Sequence, residues 1–299
     1  MATTNTYHKP VLVNEVLHYL APQPHKRYLD VTFGGGGHTR AILEAEPTCS
    51  VIALDWDMQA IEHNAPPLQE AFGDRLQVIW GNFALLYKIL KKEKINTVDG
   101  ILADFGTSQF QIFQRAGFSF QYDTPLDMRM SPAHQHLTAA TILNEWPEQK
   151  IVHIFQEYGQ EPKSRTLARA IVESRKRHPF KTTGDLVALV EYVIPLKPFK
   201  AQHGIHPATR IFQALRIAVN NELDNIQSFL SSAIRFINPG GRLVCISFHS
   251  LEDRLVKTFA KEHENELTNL TPKPITASAE EVAINPSARS AKLRAVEKK

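Results

Sequence analysis

Residues Asp30-Val-Thr-Phe-Gly-Gly-Gly-Gly-His38 decide how this chain is read. Before them stands Arg27 to Thr32 (RYLDVT), an apolar run of strand length, and after them a helical stretch from about His38 to Glu44. Glycines between a strand and a helix let the backbone approach a ligand closely, because no Cβ stands in the way. Working outward, Asn14 to Leu20 reads as a short helix, Ser50 to Asp55 (SVIALD) as a second strand and Met58 to Ala65 as a helix. Leu76 to Trp80 is a third strand. Phe83 to Lys94 is a helix that ends in lysines, as the helix dipole favours. Val98 to Asp104 (VDGILAD) is a fourth strand. Strands alternating with helices predict an α/β fold, with a parallel sheet covered on both faces.

In such sheets ligands bind beyond the carboxyl ends of the strands, near the point where strand order reverses. Asp55 ends the second strand there, and a carboxylate at that place can accept bonds from both hydroxyls of a ribose. A dinucleotide site needs a third glycine to seat its pyrophosphate, but Gly34-x-Gly36 leads to Thr39. S-adenosylmethionine carries no phosphate and requires only the close approach and the acid. A plain flexible loop fits less well, given the position between strand and helix and the acid that follows.

The fourth strand ends Asp104-Phe105-Gly106-Thr107-Ser108. Enzymes that methylate exocyclic amines place an acid or amide and an aromatic at this point. The amine lone pair is delocalised into the base, and an acceptor for its N–H bonds helps to localise it for attack. An aromatic face can hold a flipped-out base. Asp104-Phe105-Gly106 also spells the kinase metal motif. No H-R-D catalytic loop and no G-x-G-x-x-G-x-V precede or follow it, so that reading is rejected.

The strand signals then stop. Between about 106 and 205 the spacing predicts helices over 148–158, 163–177 and 183–193. A long helix follows over Pro207 to Leu230, then a turn at Asn238-Pro-Gly-Gly241 and a strand over Arg242 to Phe248. Thr268 to Lys299 is polar and Pro-rich and reads as an extended arm. The predicted organisation is a Rossmann-like domain in two parts, 1–105 and 206–299, interrupted by a helical substrate domain over 106–205.

Composition bounds the function further. Of 34 Lys and Arg against 31 Asp and Glu, 13 and 9 fall between Phe110 and Arg210. The positive excess therefore sits in the predicted insertion and is densest from Lys163 to Lys181. A run of this kind is a solvated helix face or a phosphate-contacting surface. Arg169, Arg175, Lys176 and Arg177 are the candidates for phosphate contact. Cys49 and Cys245 are the two cysteines, which argues against a disulfide framework or zinc site and fits the reducing cytoplasm. No apolar run reaches membrane-span length, and MATTNTYHKP lacks the layout of a signal peptide. His134, His136, His203 and His206 have no organised acidic or cysteine partners, so they read as solvated loop histidines and no metal is expected.

Six stretches narrow the reading: His8-Lys-Pro-Val-Leu12, Asp30 to His38, Leu126-Asp-Met-Arg-Met130, His206 to Asn220 (HPATRIFQALRIAVN), Phe248-His-Ser-Leu-Glu-Asp-Arg254 and Asn285 to Arg294 (NPSARSAKLR). In this order they resemble the RsmH (MraW) family, from about His8 to the C-terminus. The resemblance implies a Rossmann-like S-adenosylmethionine-dependent methyltransferase sheet with an inserted helical substrate-recognition domain. It implies methylation of N4 of a cytosine in the decoding region of bacterial 16S rRNA, within the small ribosomal subunit. The family's cofactor contacts fall on Gly36, Gly37, His38, Asp55, Phe83, Asp104 and Gln111. The catalytic candidates are Asp104 with Ser247, His249 and Asp253, from a polar cluster at a strand end. Arg210, Arg216 and Asn220, on the polar side of the 206–220 segment, and Arg289 and Arg294, in the C-terminal motif, complete the expected RNA contacts. Without the family, 206–220 reads as a core helix with Ile211, Leu215 and Val219 on its apolar face.

The chain also departs from the family pattern. Phe105, Thr107 and Gln109 alter the usual D-L-G-V-S-S. Ala116, Pro162 and Ser287 stand where arginines are usual. Two other functions compete, a non-catalytic ribosome-assembly factor that keeps the cofactor and an NAD-dependent oxidoreductase. The intact Asp104 argues against the first and Thr39 against the second. Oligomeric state is open, with a dimer as one option.

Overall fold

The computed structural model describes residues 10–106, 115–195 and 206–299. Helix α1 (Val13–Leu20) leads into β1 (Arg27–Asp30), α2 (Gly37–Ala45), β2 (Ser50–Asp55), α3 (Met58–Phe72) and β3 (Leu76–Trp80). A 3-10 turn at Phe83–Leu85 and α4 (Leu86–Lys92) follow, and then β4 (Val98–Asp104). The strands fall where the apolar runs predict them; β1, β2 and β4 are buried on both faces, and β3 is the edge strand. Along β2, Val51 and Ala53 join Tyr28 and Leu102 in one core. Ile52 and Leu54 join Leu29, Ile101 and Ala103 in the other. Successive side chains point to opposite faces of a strand, so an unbroken apolar run is what a doubly covered sheet needs. Helix α3 extends past the predicted end and carries Pro66 and Pro67 inside it. Ala65 and Leu68, on either side of the prolines, are both buried in the core.

Among the described residues, 10–106 with 223–299 form one compact unit, and 115–195 with 206–222 form a second. The second holds α5 (Ala139–Glu145), α6 (Glu148–Glu157), α7 (Ser164–Ser174), α8 (Thr183–Val193) and α9 (Pro207–Asn220). Its core gathers Ile142, Phe155, Leu167, Ile171, Leu186 and, from α9, Ile211, Phe212, Leu215 and Val219. The unit boundary therefore lies after Glu222, not at 205/206 as predicted, because the apolar face of α9 is buried among the inserted helices. The predicted single helix over Pro207 to Leu230 is two. It breaks at Asn221, whose backbone is left-handed (φ 51°), a conformation that asparagine tolerates better than most residues.

The chain returns to the first unit with α10 (Glu222–Ala233), β5 (Ile237–Ser247), α11 (Ser250–Glu262), β6 (Leu267–Asn269), β7 (Ile275–Thr276), α12 (Ala279–Ile284) and β8 (Lys292–Lys298). The described residues form an eight-stranded sheet in the order β3-β2-β1-β4-β5-β8-β6, with β7 also paired to β8. Neighbours from β3 to β5 run parallel, whereas β8 is antiparallel to β5. Two expectations change here. The predicted turn at 238–241 lies inside β5, at a register shift opposite Val98 and Gly100. The predicted C-terminal arm instead supplies an interior strand, in which Leu293, Arg294, Ala295 and Val296 are buried. Strand order reverses between β1 and β4, which places the ligand site at their carboxyl ends. Among the described residues no helix is long and apolar enough to cross a membrane.

Candidate active site

The glycine loop leaves β1 and enters α2. Gly36 has a left-handed backbone (φ 73°), and a Cβ there would lie 2.8 Å from Leu68 Cδ2 and 3.0 Å from the Phe33 ring. A Cβ on Gly37 would meet Pro10 Cγ at 2.7 Å. Both positions therefore require glycine for packing within the chain. Asp55 holds this loop from the end of β2. Its Oδ2 accepts from the Gly34 amide at 2.7 Å and its Oδ1 from the Asp57 amide at 2.8 Å. Burial pushes the Asp55 carboxyl up to about 7, against the pull of these two amides. Asn64 on α3 closes the arrangement by donating to the Gly34 carbonyl at 3.0 Å and to the Ala60 carbonyl at 2.9 Å. The signal for Asn64 was present as a polar residue beside the apolar Ala65 and Leu68, but amphipathic spacing alone assigns it no task.

Asp104 ends β4 beside this loop. Its amide donates to Thr32 Oγ1 at 2.7 Å, which ties the ends of β1 and β4 together. Its Oδ1 is buried and has no hydrogen-bond partner among the described residues. Its Oδ2 lies 3.7 Å from Nδ1 of His38. Burial raises the Asp104 carboxyl to about 7, and the nearby Asp30 and Glu252 add to the rise while His38 opposes it. Asp30 is 1% exposed and accepts from Thr39 Oγ1 at 2.7 Å and from the Thr32 amide at 3.1 Å. Its pKa is raised by burial, with His38 opposing. Thr32 and Asp30 sit inside the motif quoted first, yet their roles depend on β4, which lies some seventy residues further along the chain.

The second polar cluster lies at the end of β5. Ser247 is 1% exposed, and its Oγ has no partner among the described residues. His249 is the N-cap of α11, and its Nδ1 accepts from the Glu252 amide at 3.4 Å. Glu252 answers by accepting from the Phe248 and His249 amides at 2.7 and 3.2 Å. This reciprocal box satisfies the free amides at a helix start. It engages the Nδ1 lone pair of His249 in the cap, while Nε2 of the ring is buried 3.1 Å from Glu252 Oε1. Asp253, expected to be catalytic, is corrected. Both its oxygens are taken by the Arg294 guanidinium, at 2.6 and 3.2 Å. The first turn of α11 faces β8, which brings these two residues together. Phe105, expected to offer its face to a base, is 2% exposed and packs on Phe83 and Phe229. Phe83, expected near the cofactor, is half-buried in the same aromatic group.

A sequence profile of the MraW methylase family matches residues 5–299. The chain belongs to the MraW methylase family. Its relatives include proteins named Ribosomal RNA small subunit methyltransferase H. The one from Thermomicrobium roseum is 45% identical, over 98% of this chain and 94% of its own. That from Carboxydothermus hydrogenoformans is 43% identical, over 97% of each. That from a Cyanothece species is 47% identical, over 96% of this chain and 93% of its own.

In this MraW methylase the expected RNA contacts divide by environment. Arg169, Lys176, Arg177 and Arg289 are exposed. Lys176 also pairs with Glu173 at 2.8 Å, a surface contact. Arg175 spends its guanidinium on the carbonyls of Leu143 and Trp146, at 2.9 and 2.7 Å, where it closes the end of α5. Arg210 is half-exposed, 3.7 Å from Glu161. Arg216 forms a fork with Glu222 at 2.9 and 2.8 Å. Asn220 and Arg294 are corrected outright, since both are buried. The Asn220 side chain accepts from the Met130 amide at 2.8 Å and donates to the Met128 carbonyl at 2.8 Å. His206, expected in a solvated loop, caps α9 by accepting from the Ala208 amide at 3.1 Å and lies 3.1 Å from Glu191. His134 lies 3.0 Å from Ser131 Oγ. Gln111 and His203 lie outside the described residues.

Proposed function

We propose that this MraW methylase transfers the methyl group of S-adenosylmethionine to N4 of a cytosine in 16S rRNA of the small ribosomal subunit, in the cytoplasm. One observation carries the chemistry, the buried Asp104 carboxylate at the reversal of strand order with an oxygen that no described residue satisfies. The names of the relatives support the substrate.

The residues present suit the donor. S-adenosylmethionine, when bound, supplies an electrophilic methyl on a positively charged sulfur. Asp55 and Asp104 are largely buried carboxylates with no Lys or Arg ion pair among the described residues. Such groups are stabilised by a cationic ligand and by hydroxyl donors. Asp55, already oriented by two amides, is placed to accept from ribose hydroxyls. The loop after β1, pinned by Asp55 and Asn64, leaves backbone close to the ligand.

Asp104 is the group for the target amine. An exocyclic amine of cytosine is not basic, because its lone pair is shared with the ring. A carboxylate that accepts its N–H bonds favours the localised pair and stabilises positive charge as the new bond forms. A strong base is not needed before transfer, since the proton becomes acidic only as that charge builds. Holding the nitrogen in line supplies much of the rate, and positioning of this kind is worth about 7–11 kcal/mol. Ser247, at the adjacent strand end with its Oγ unsatisfied, is a second polar contact for the base.

The test is transfer of labelled methyl to small subunits from a strain that lacks the protein, followed by nucleoside analysis. N4-methylcytidine at one site is the expected product. A different methylated nucleoside, or none, overturns the assignment.

A further inference from the structure

The surroundings of His38 assign a path for the proton that the reaction must shed. His38 is buried, 6% exposed, at the start of α2. Its Nε2 lies 2.8 Å from the carbonyl oxygen of Val11. A carbonyl can only accept, so Nε2 carries the hydrogen. In the neutral ring Nδ1 then holds a lone pair, and that lone pair is 3.7 Å from Asp104 Oδ2. The other oxygen of Asp104, Oδ1, is the one without a partner among the described residues. Asp30, near enough to His38 to interact with it electrostatically, is buried and held by Thr39 and Thr32.

We infer that Asp104 and His38 form a proton relay, in which Asp104 Oδ1 receives the amine proton and, once the carboxyl group turns about its Cβ–Cγ bond, passes that proton to His38 Nδ1. The inference rests on the methyl-transfer reading above. The steps balance. The nitrogen lone pair forms the bond to the methyl carbon as the carbon–sulfur bond breaks and its electrons stay on sulfur. The nitrogen then carries a positive charge and loses one proton to the carboxylate. That carboxylate regains its charge by giving a proton to the imidazole. The imidazolium so formed interacts with two acidic groups, Asp104 and Asp30, and has its other N–H on a carbonyl. The 3.7 Å between Nδ1 and the carboxyl oxygen closes to hydrogen-bond distance for this step. His38 acts through Asp104 and is a positioning and proton-accepting residue, not one that touches the target.

The titratable groups that bear on this pair are Asp30 from β1, His38 from α2 and Glu252 from α11, the last acting on Asp104. Burial of Asp104 raises the proton affinity of its carboxyl, to about 7.

Two measurements test the relay, one of them independent of activity. Two-bond proton–nitrogen NMR on protein labelled at histidine, with His38 assigned by its loss in His38→Gln, reads which ring nitrogen is protonated. The expected result is hydrogen on Nε2 with Nδ1 free at high pH, and protonation of Nδ1 as pH falls. In Asp104→Asn that protonation should move to lower pH, because the ring loses an anionic neighbour. A neutral ring with its hydrogen on Nδ1, or a titration that Asp104→Asn leaves in place, overturns the inference whether or not the protein methylates RNA. The second measurement is the single-turnover rate against pH at saturating cofactor. His38→Gln should slow transfer about tenfold or more and shift the acid limb of the profile. A uniformly lowered profile of unchanged shape would mean that His38 only packs the loop. Methylation by the wild type, measured in the same series, reports separately on the proposed function.

Discussion

Asp55 and Asp104 each hold a proton to about neutral pH because burial disfavours their charged forms. The consequence for stability has a definite sign. Their folded values stand above the ordinary carboxylate value of 3.8, so without ligand these two groups favour the folded state most when protonated, and their contribution is lost as pH rises from about 4 to about 7. A ligand that favours the carboxylates reverses this. Binding of S-adenosylmethionine at pH 7 should release protons, about half a proton from each carboxyl. Calorimetry in buffers of different ionisation enthalpy measures that number, and affinity should tighten between pH 6 and pH 8. Asp55→Asn should cut the release and weaken binding about ten- to hundredfold, an energy of about 1.5–3 kcal/mol. Unchanged affinity and unchanged proton release would remove Asp55 from the cofactor site.

The elements differ in how openly the sequence declares them. β2, β3 and β4 are legible to the residue, because apolar runs of strand length bounded by polar turns have few other uses. β8 is not. KLRAVEK alternates charge with small apolar residues and reads as solvated until Arg294 finds Asp253, forty-one positions earlier. The break between α9 and α10 is equally hidden, since helical spacing continues across Asn220-Asn221 and only the left-handed residue interrupts it. The candidate site was legible where one strand end carried its own acid, as at Asp55 and Asp104. It was misread where a polar residue serves the fold, as with Asn220, Asp253 and Arg294. These residues can be tested as parts of elements. Arg294→Ala leaves Asp253 without its partner and should cost about 3–5 kcal/mol by denaturant unfolding. Adding Asp253→Leu should recover part of that loss. Asn220→Ala strands the Met130 amide and Met128 carbonyl and should cost about 1–3 kcal/mol, whereas Asn221→Gly should be tolerated. An Arg294→Ala protein as stable as wild type would show that the buried fork contributes nothing.

At the scale of the molecule, charge and sequence order carry the consequences. The exposed Arg169 and Arg177 belong to the inserted unit, where positive charge is in excess. Reversing both should weaken RNA binding and lower its dependence on salt by roughly one phosphate contact for each residue that contributes. An unchanged salt slope would make the run a solvated face, and Arg289, exposed in the other unit, the next to test. The sheet meanwhile is assembled from segments far apart in the chain. β4 pairs with β5, Val98 against Ile237, and the whole inserted unit is synthesised between them. At about 5–20 residues per second, a ribosome making this chain delivers β4 on the order of ten seconds before its partner. During that interval the inserted helices, with a core of their own, are free to fold, while one side of β4 waits with unpaired amides and carbonyls. Even the arrival of β5 leaves an edge that only β8 covers. Nascent chains halted between these strands are thus the species most exposed to misassociation, and the enzyme's yield in a cell depends on how they are sheltered.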